Sequence, residues 1–303
     1  MHSTARLLEE AADELARLDA VSAFAPDAFS IALRLDAVVQ LARISAPDAT
    51  IDFASMAAAE GDPLHDTALP TVAMQWRDLV QGEERRVLGG ATLTTARIAV
   101  VAPTLATYPE RPRLEAIWRE SAATRPVLER ALDSAAWSPD PAVGEATAAL
   151  QLCAGGTASR VRLLPFAAAA PEARRAAIDA HRAGDVEPWR QLGLATVSRR
   201  ARAVRRAVEQ AVRGLEEEDA RLDAMRRAAI TARRAHGILR RRAVTTMPVL
   251  AEELRLSRPA ASDALERLVA SGLAREVTGR ARDRVYAYEA ACAVADSANA
   301  ASD

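Results

Sequence analysis

The chain has 303 residues, half of them hydrophobic, and its 40 basic side chains, all arginine, nearly balance 41 acidic ones for a net charge of −1. That excludes a disordered polypeptide and leaves room for two domains with cores of their own. No apolar run approaches the ~20 residues of a membrane span, and the polar, acidic opening MHSTARLLEE excludes a secretory signal, so a cytoplasmic protein without membrane contact is expected.

Aromatic residues make up only 4%, so a core must come from helices packed closely through alanine and leucine. Residues 3–19 place Leu7, Leu8, Ala11, Leu15 and Leu18 at helical spacing behind Ser3 or Thr4 as a cap, with Glu9, Glu10 and Asp13 outward. Further helices are expected at 27–44, 67–81, 91–106, 112–122, 125–136, 142–153 and 171–183, jointed at prolines and glycines. From Glu187 the chain reads as one or two long helices. Val197, Val204, Val208, Ala211, Leu215, Leu222, Met225 and Ala229 form a stripe that packs either on the parent bundle or, through 197–227, on a second copy as a homodimer.

The last third changes character. A helix ends near Arg242, and a two-turn helix follows with Thr246 as cap, Pro248 in its first turn, and Leu250 and Leu254 inward. After the turn Arg255-Leu256-Ser257, a third helix has Ser257 as cap, Ala261, Leu265, Leu268 and Val269 on one face, and Gly272 as its stop. The period then falls to two: LAREVT, a GRARD turn and RVYAYE make a two-stranded hairpin. Three helices and a hairpin read as a winged helix-turn-helix over 228–290, with the polar tail 291–303 expected to be disordered. Arg258, Ser262, Asp263 and Arg267 lie off the apolar stripe; Ser257, Arg258, Ser262 and Arg267 are the residues expected to meet DNA at the major groove, and Arg280, Arg282 and Arg284 crowd the hairpin tip, where they suit phosphates. Charge is also segregated along the chain: residues 1–120 hold 18 acids against 11 arginines, and 199–242 hold 14 arginines against 6 acids.

LAEELRLSRPAASDALERLVASGLAREVTGRARDRVYAYEA and, before it, AAPEARRAAIDAHRAGDVEPWRQLGLATVSRRA resemble the C-terminal portion of the Fic family of AMP-transferring proteins, many of which end in a winged helix. The likeness covers roughly residues 160–290, and more faintly LLEEAADELARLD. It implies a mainly α fold, a Fic-like helical bundle over 1–196, a connecting helix over 197–227 and the winged module. The family's catalytic loop, His-Pro-Phe-x-x-Gly-Asn-Gly-Arg, would fall within 125–160. That stretch has no histidine and keeps only Gly155, Gly156 and Arg160, and the family's inhibitory Ser-x-x-x-Glu-Gly motif is absent as well. The resemblance therefore implies a body without transferase chemistry.

No other catalytic arrangement emerges. His65 lies near Asp62 and Asp66 in what reads as surface loop; His181 suits a helix C-terminus; His236 reads as packing or surface. The runs Glu83-Glu84-Arg85-Arg86 and Glu216-Glu217-Glu218-Asp219 read as solvated helix faces. Cys153 and Cys292 stand alone, no phosphate loop is present, and no cofactor or metal is implied. The expected function is double-stranded DNA binding by a non-enzymatic transcriptional regulator. A protein adenylyltransferase and a non-catalytic protein-interaction module are the alternatives.

Overall fold

The computed structural model describes residues 4–46, 48, 55–57, 71–120, 125–156, 164–166, 169–225, 229–280 and 282–300. It is mainly helical, 76%, with one small antiparallel sheet near the C-terminus. Helix α1 (Thr4–Ser22) turns Ala11, Leu15 and Leu18 inward and lies along α9 (Glu187–Arg213). The first part of the apolar stripe is covered by this contact and by the chain's last helix, with Val197, Val204 and Val208 buried within one copy, while Ala211, Leu215 and Met225 further along are half-buried. The contact also carries charge. Arg202 Nη2 lies 2.7 Å from Glu10, while Arg202 Nε and Arg205 Nε each lie 3.2 Å from Glu14. Two acids of the N-terminal part, Glu10 and Glu14, thus meet two arginines of the basic stretch across a helix pair.

Helix α2 (Asp27–Ser45) buries most of its length, with Asp27 and Arg43 exposed near its ends. It packs on α3 (Thr71–Leu88) and on α7 (Pro141–Ala154), and the C-terminal module closes its other side. Helix α4 (Thr95–Ile98), a 3-10 turn at Pro103–Thr107 and α5 (Arg111–Arg119) lead to α6 (Val127–Trp137). The expected helix 91–106 is therefore two short pieces, broken ahead of Pro103. Asp140 starts α7 by accepting from Ala142 and Val143 N–H at 2.7 and 3.2 Å. Gly144 lets α6 and α7 touch: a β-carbon there would sit 3.1 Å from the Ala135 Cα and carbonyl. Helix α8 (Pro171–Arg182) stands against α6 and α9.

The charge runs expected on solvated faces are partly interior. Glu83 and Glu84 are 1% and 2% exposed; Glu83 pairs with Arg86 and Arg97, and Glu84 with Arg34 across to α2 at 3.3 Å. A residue-by-residue reading assigns such carboxylates to water because it cannot see arginines arriving from other helices.

Gly214 ends α9, and α10 (Leu215–Ala224) follows, with Leu222 and Glu218 buried. Next come α11 (Ala229–Arg242), β1 (Val244–Thr246), α12 (Met247–Leu254), α13 (Arg258–Ala270), β2 (Ala274–Glu276), β3 (Val285–Tyr288) and α14 (Glu289–Ala300). Helices α11, α12 and α13 pack on one another. The sheet order is β1-β3-β2, with Thr246 opposite Val285 and Glu276 opposite Tyr286. Strand β1 was not expected: three residues carry no readable alternation, and TT before Met-Pro reads as a helix cap. The expected disordered tail is also corrected. Helix α14 inserts between α2 and α9, burying Ala291, Cys292, Val294 and Ala295 at about 1% exposure each. Alanine is an excellent helix former, and the bundle supplies the apolar seat that this short polar-looking segment lacks alone. One hydrophobic cluster consequently runs from Ala11 and Leu15 through Val204 and Leu222 to Leu250, Leu265 and Leu268, with no break near 228.

Candidate nucleic-acid interface

Helix α12 ends at Arg255 in the left-handed conformation (φ 53), and α13 starts three residues later. Thr246 and Ser257 cap the two helices, each accepting at 3.4 Å, from Val249 and Ala260 N–H. Gly272, at φ 68, takes the left-handed stop that turns the chain into β2. Helix α13 buries Ala261, Ala264, Leu265 and Leu268 against its own module. Val269, expected inward, is 38% exposed, and Ala264 takes the inner position.

The outer face of α13 is open to solvent. Arg258 stands exposed in its first turn and makes no ion pair among the described residues. Ser262 is half-buried and donates to Glu266 at 3.2 Å, and Arg267 donates from Nε to Asp263 at 2.8 Å. That hydrogen bond raises the Arg267 pKa and lowers that of Asp263. Two arginines, Arg258 and Arg267, and two carboxylates, Asp263 and Glu266, make this face electroneutral.

The hairpin differs. Arg280, Arg282 and Arg284 are all exposed, and Arg284 Nε donates to the Arg280 carbonyl at 3.0 Å. Its turn is pinned by Glu276, whose carboxylate accepts from Thr278 N–H at 2.7 Å, Gly279 N–H at 3.0 Å and the Thr278 hydroxyl. Between hairpin and α13 lies an open cleft of about 600 Å³ lined by Glu266, Val269, Arg280, Arg284 and Tyr286. Arg258 at one end of α13 and the hairpin arginines beside its other end thus occupy one surface, about 18 Å long by helix rise. Arg255, in the turn before α13, is exposed as well.

Behind this surface a polar knot fixes the module to the body. Glu218 Oε2 accepts from Tyr288 Oη at 2.6 Å and Arg240 Nη2 at 2.9 Å, with His236 Nε2 at 3.4 Å. Burial pushes the Glu218 carboxyl up, but these three neighbours outweigh it and hold it below the usual value. Burial, then the Glu218 carboxylate, pushes the Tyr288 hydroxyl far up. The Tyr288 ring stacks on Phe29 of α2 (5.9 Å between centroids) and meets the edge of His236 at 5.3 Å. On the other side Arg275 is bidentate to Glu289 at 2.6 and 3.1 Å, tying β2 to α14.

In the body, 125–156 forms α6, α7 and the turn after them; Gly155 follows α7 and Gly156 (φ 70) turns the chain, while Arg160 lies outside the described residues. His181 is buried with Nε2 3.5 Å from Asp133, and burial pulls its pKa below the ordinary value. His236 is buried too, so neither histidine is at the surface. His65, Asp62 and Asp66 lie outside the described residues. Among the described residues no group of three or more His, Cys, Asp or Glu side chains could hold a metal, neither cysteine is in a disulfide, and no helix is long and apolar enough to cross a membrane. The chain matches no protein-family model and no curated protein.

Proposed function

We propose that the chain is a DNA-binding protein, a transcriptional regulator in which α11 to β3 form a winged helix-turn-helix on a Fic-like helical body without transferase chemistry. The observation that carries the reading is the solvent-open α13 face with Arg258 at its start, flanked by the exposed Arg280, Arg282 and Arg284 of the hairpin. Over residues 228–290 there are twelve arginines against seven acids, an excess that suits a polyanion. The hairpin contributes most of the phosphate affinity, because the α13 charges largely cancel among themselves. Arg258 is the candidate for a base edge, and Arg267 can join only by leaving Asp263, an exposed pair that costs little to open.

Fluorescence anisotropy with a labelled pool of genomic duplex fragments, titrated across salt, tests this. Replacing Arg280, Arg282 and Arg284 together by alanine is expected to weaken every fragment alike and to flatten the log–log salt slope by about 2 to 3. Arg258→Ala is expected to cost about 1–3 kcal/mol at one base position. No binding at low salt, or binding indifferent to salt, would end the reading.

A further inference from the structure

The turn between α12 and α13 carries an arginine that the fold does not use. Arg255 stands at φ 53 and ψ 48, a left-handed conformation that glycine takes freely and a residue with a β-carbon takes at a penalty. The hydrogen bonds that close α12 there are main-chain ones: the Arg255 N–H donates to the Glu252 carbonyl at 3.2 Å, and the Leu256 N–H to the Ala251 carbonyl at 2.8 Å. The Arg255 side chain is exposed and makes no hydrogen bond or ion pair among the described residues. Arg234 reaches the same place from α11, its Nη2 donating to the Leu254 carbonyl at 2.9 Å. That contact fastens its guanidinium one residue before Arg255 without neutralising it, and Arg234 too is exposed and makes no ion pair among the described residues. Of the two acids of α12, Glu253 is held by Arg241 and Arg242 at 3.2 and 3.1 Å. Around the turn, Arg234, Arg255 and Arg258 therefore outnumber the one carboxylate left unpaired on α12 among the described residues, Glu252.

An exposed cation in a strained backbone position, with no partner inside the chain, stabilises nothing there and points to a partner outside it. The chemistry of that partner follows from position. The turn opens directly into α13, the helix that the DNA reading seats in a major groove, and a helix in that groove has a phosphate backbone on either side of it. The hairpin arginines lie beside the other end of α13, about 18 Å away by helix rise. Guanidinium groups match phosphate oxygens well, and two separated phosphate contacts fix the register of a helix in its groove, which one cluster does not. We propose that Arg234 and Arg255 form a second phosphate-contact site, so that the module grips the duplex backbone at both ends of α13 and leaves Arg258 for a base edge. The inference rests on the DNA reading of the module and adds to it a contact that the hairpin does not supply.

The test is the anisotropy titration of the full chain with the labelled pool of genomic duplex fragments across salt, on Arg234→Gln and Arg255→Gly made singly and together. Glutamine keeps a donor for the Leu254 carbonyl and glycine suits the left-handed position, so both variants fold. Each is expected to weaken every fragment alike, by roughly five- to tenfold at about 0.1 M salt, and to flatten the log–log salt slope by about 1; the pair flattens it by about 2. Arg206→Ala, which removes an exposed arginine of α9 on the body, leaves affinity and slope unchanged. If the hairpin triple variant loses slope while the Arg234→Gln, Arg255→Gly protein keeps that of the wild type, the second site is refuted and the DNA reading stands. An equal loss in Arg206→Ala reduces the effect to overall charge, and a loss confined to some fragments marks a base contact; either outcome also overturns the inference. A wild-type chain that binds no fragment takes the DNA reading down and this site with it.

Discussion

The body and the C-terminal module handle charge in opposite ways. In the body, carboxylates and guanidinia go inside: Glu83 and Glu84 on α3, Glu145 on α7, and Asp36 facing the buried Arg200 at 3.9 Å. On the module, Arg240 and His236 turn inward onto Glu218, but the charges of its outer face stay at the surface, paired loosely as Arg267 with Asp263 or carried on the hairpin. Buried pairs cost desolvation and punish the loss of either partner, while surface pairs add little stability and can re-pair with a ligand. The contrast separates a part whose arginines hold structure from one whose arginines can be spent on a partner.

Four changes would break or sharpen it. The largest effect is expected from ending the chain at Glu289: losing the buried face of α14 strips α2 and α9, and a destabilisation on the order of 5 kcal/mol is expected from the apolar area exposed. Urea unfolding measures it, and an unchanged midpoint would show that α14 is dispensable. Next, Arg174→Met takes the ion-pair partner from the buried Glu145 and leaves it the Phe166 N–H at 3.0 Å, costing about 3–5 kcal/mol, while the Glu145→Met, Arg174→Met double variant regains most of that. A double-mutant cycle by calorimetry checks the pair.

Tyr288→Phe removes the shortest donor to Glu218 and is expected to cost about 1.5–3 kcal/mol at neutral pH. Because Glu218 is held below its ordinary value in the folded state, that stabilisation is complete above the ordinary carboxylate range and fades as pH falls through the lowered one. Stability curves of the two proteins should therefore converge in acid; a constant gap would mean that the tyrosine acts only by packing. The smallest effect on stability, within about 0.5 kcal/mol by urea unfolding, is expected for the triple alanine variant of the hairpin arginines, although under the proposed function it is the change expected to weaken DNA binding most.

Local rules carried the reading of α12 and α13 because their signals are local: Thr246 and Ser257 cap within three residues, Pro248 and Pro259 sit in first turns, and Gly272 stops the helix. The hairpin arginines were legible for the same reason. What failed depended on distant partners. Glu83, Glu84 and Glu218 look like surface until Arg97, Arg34 and Tyr288 are brought to them, and α14 looks like a tail until α2 and α9 provide its seat. Segregated charge along the chain suggested a free basic half, but α1 pairs with Arg202 and Arg205, and Asp36 and Glu218 meet Arg200 and Arg240; only three-dimensional pairing could reveal that.

The way α14 comes home has a mechanical side. Tyr288 and Glu289 are consecutive, so the returning strand passes into the final helix without slack. A module hung from a single stalk can swivel toward whatever lies nearby; this one is clamped fore and aft, and its bearing is dictated by the frame that carries it.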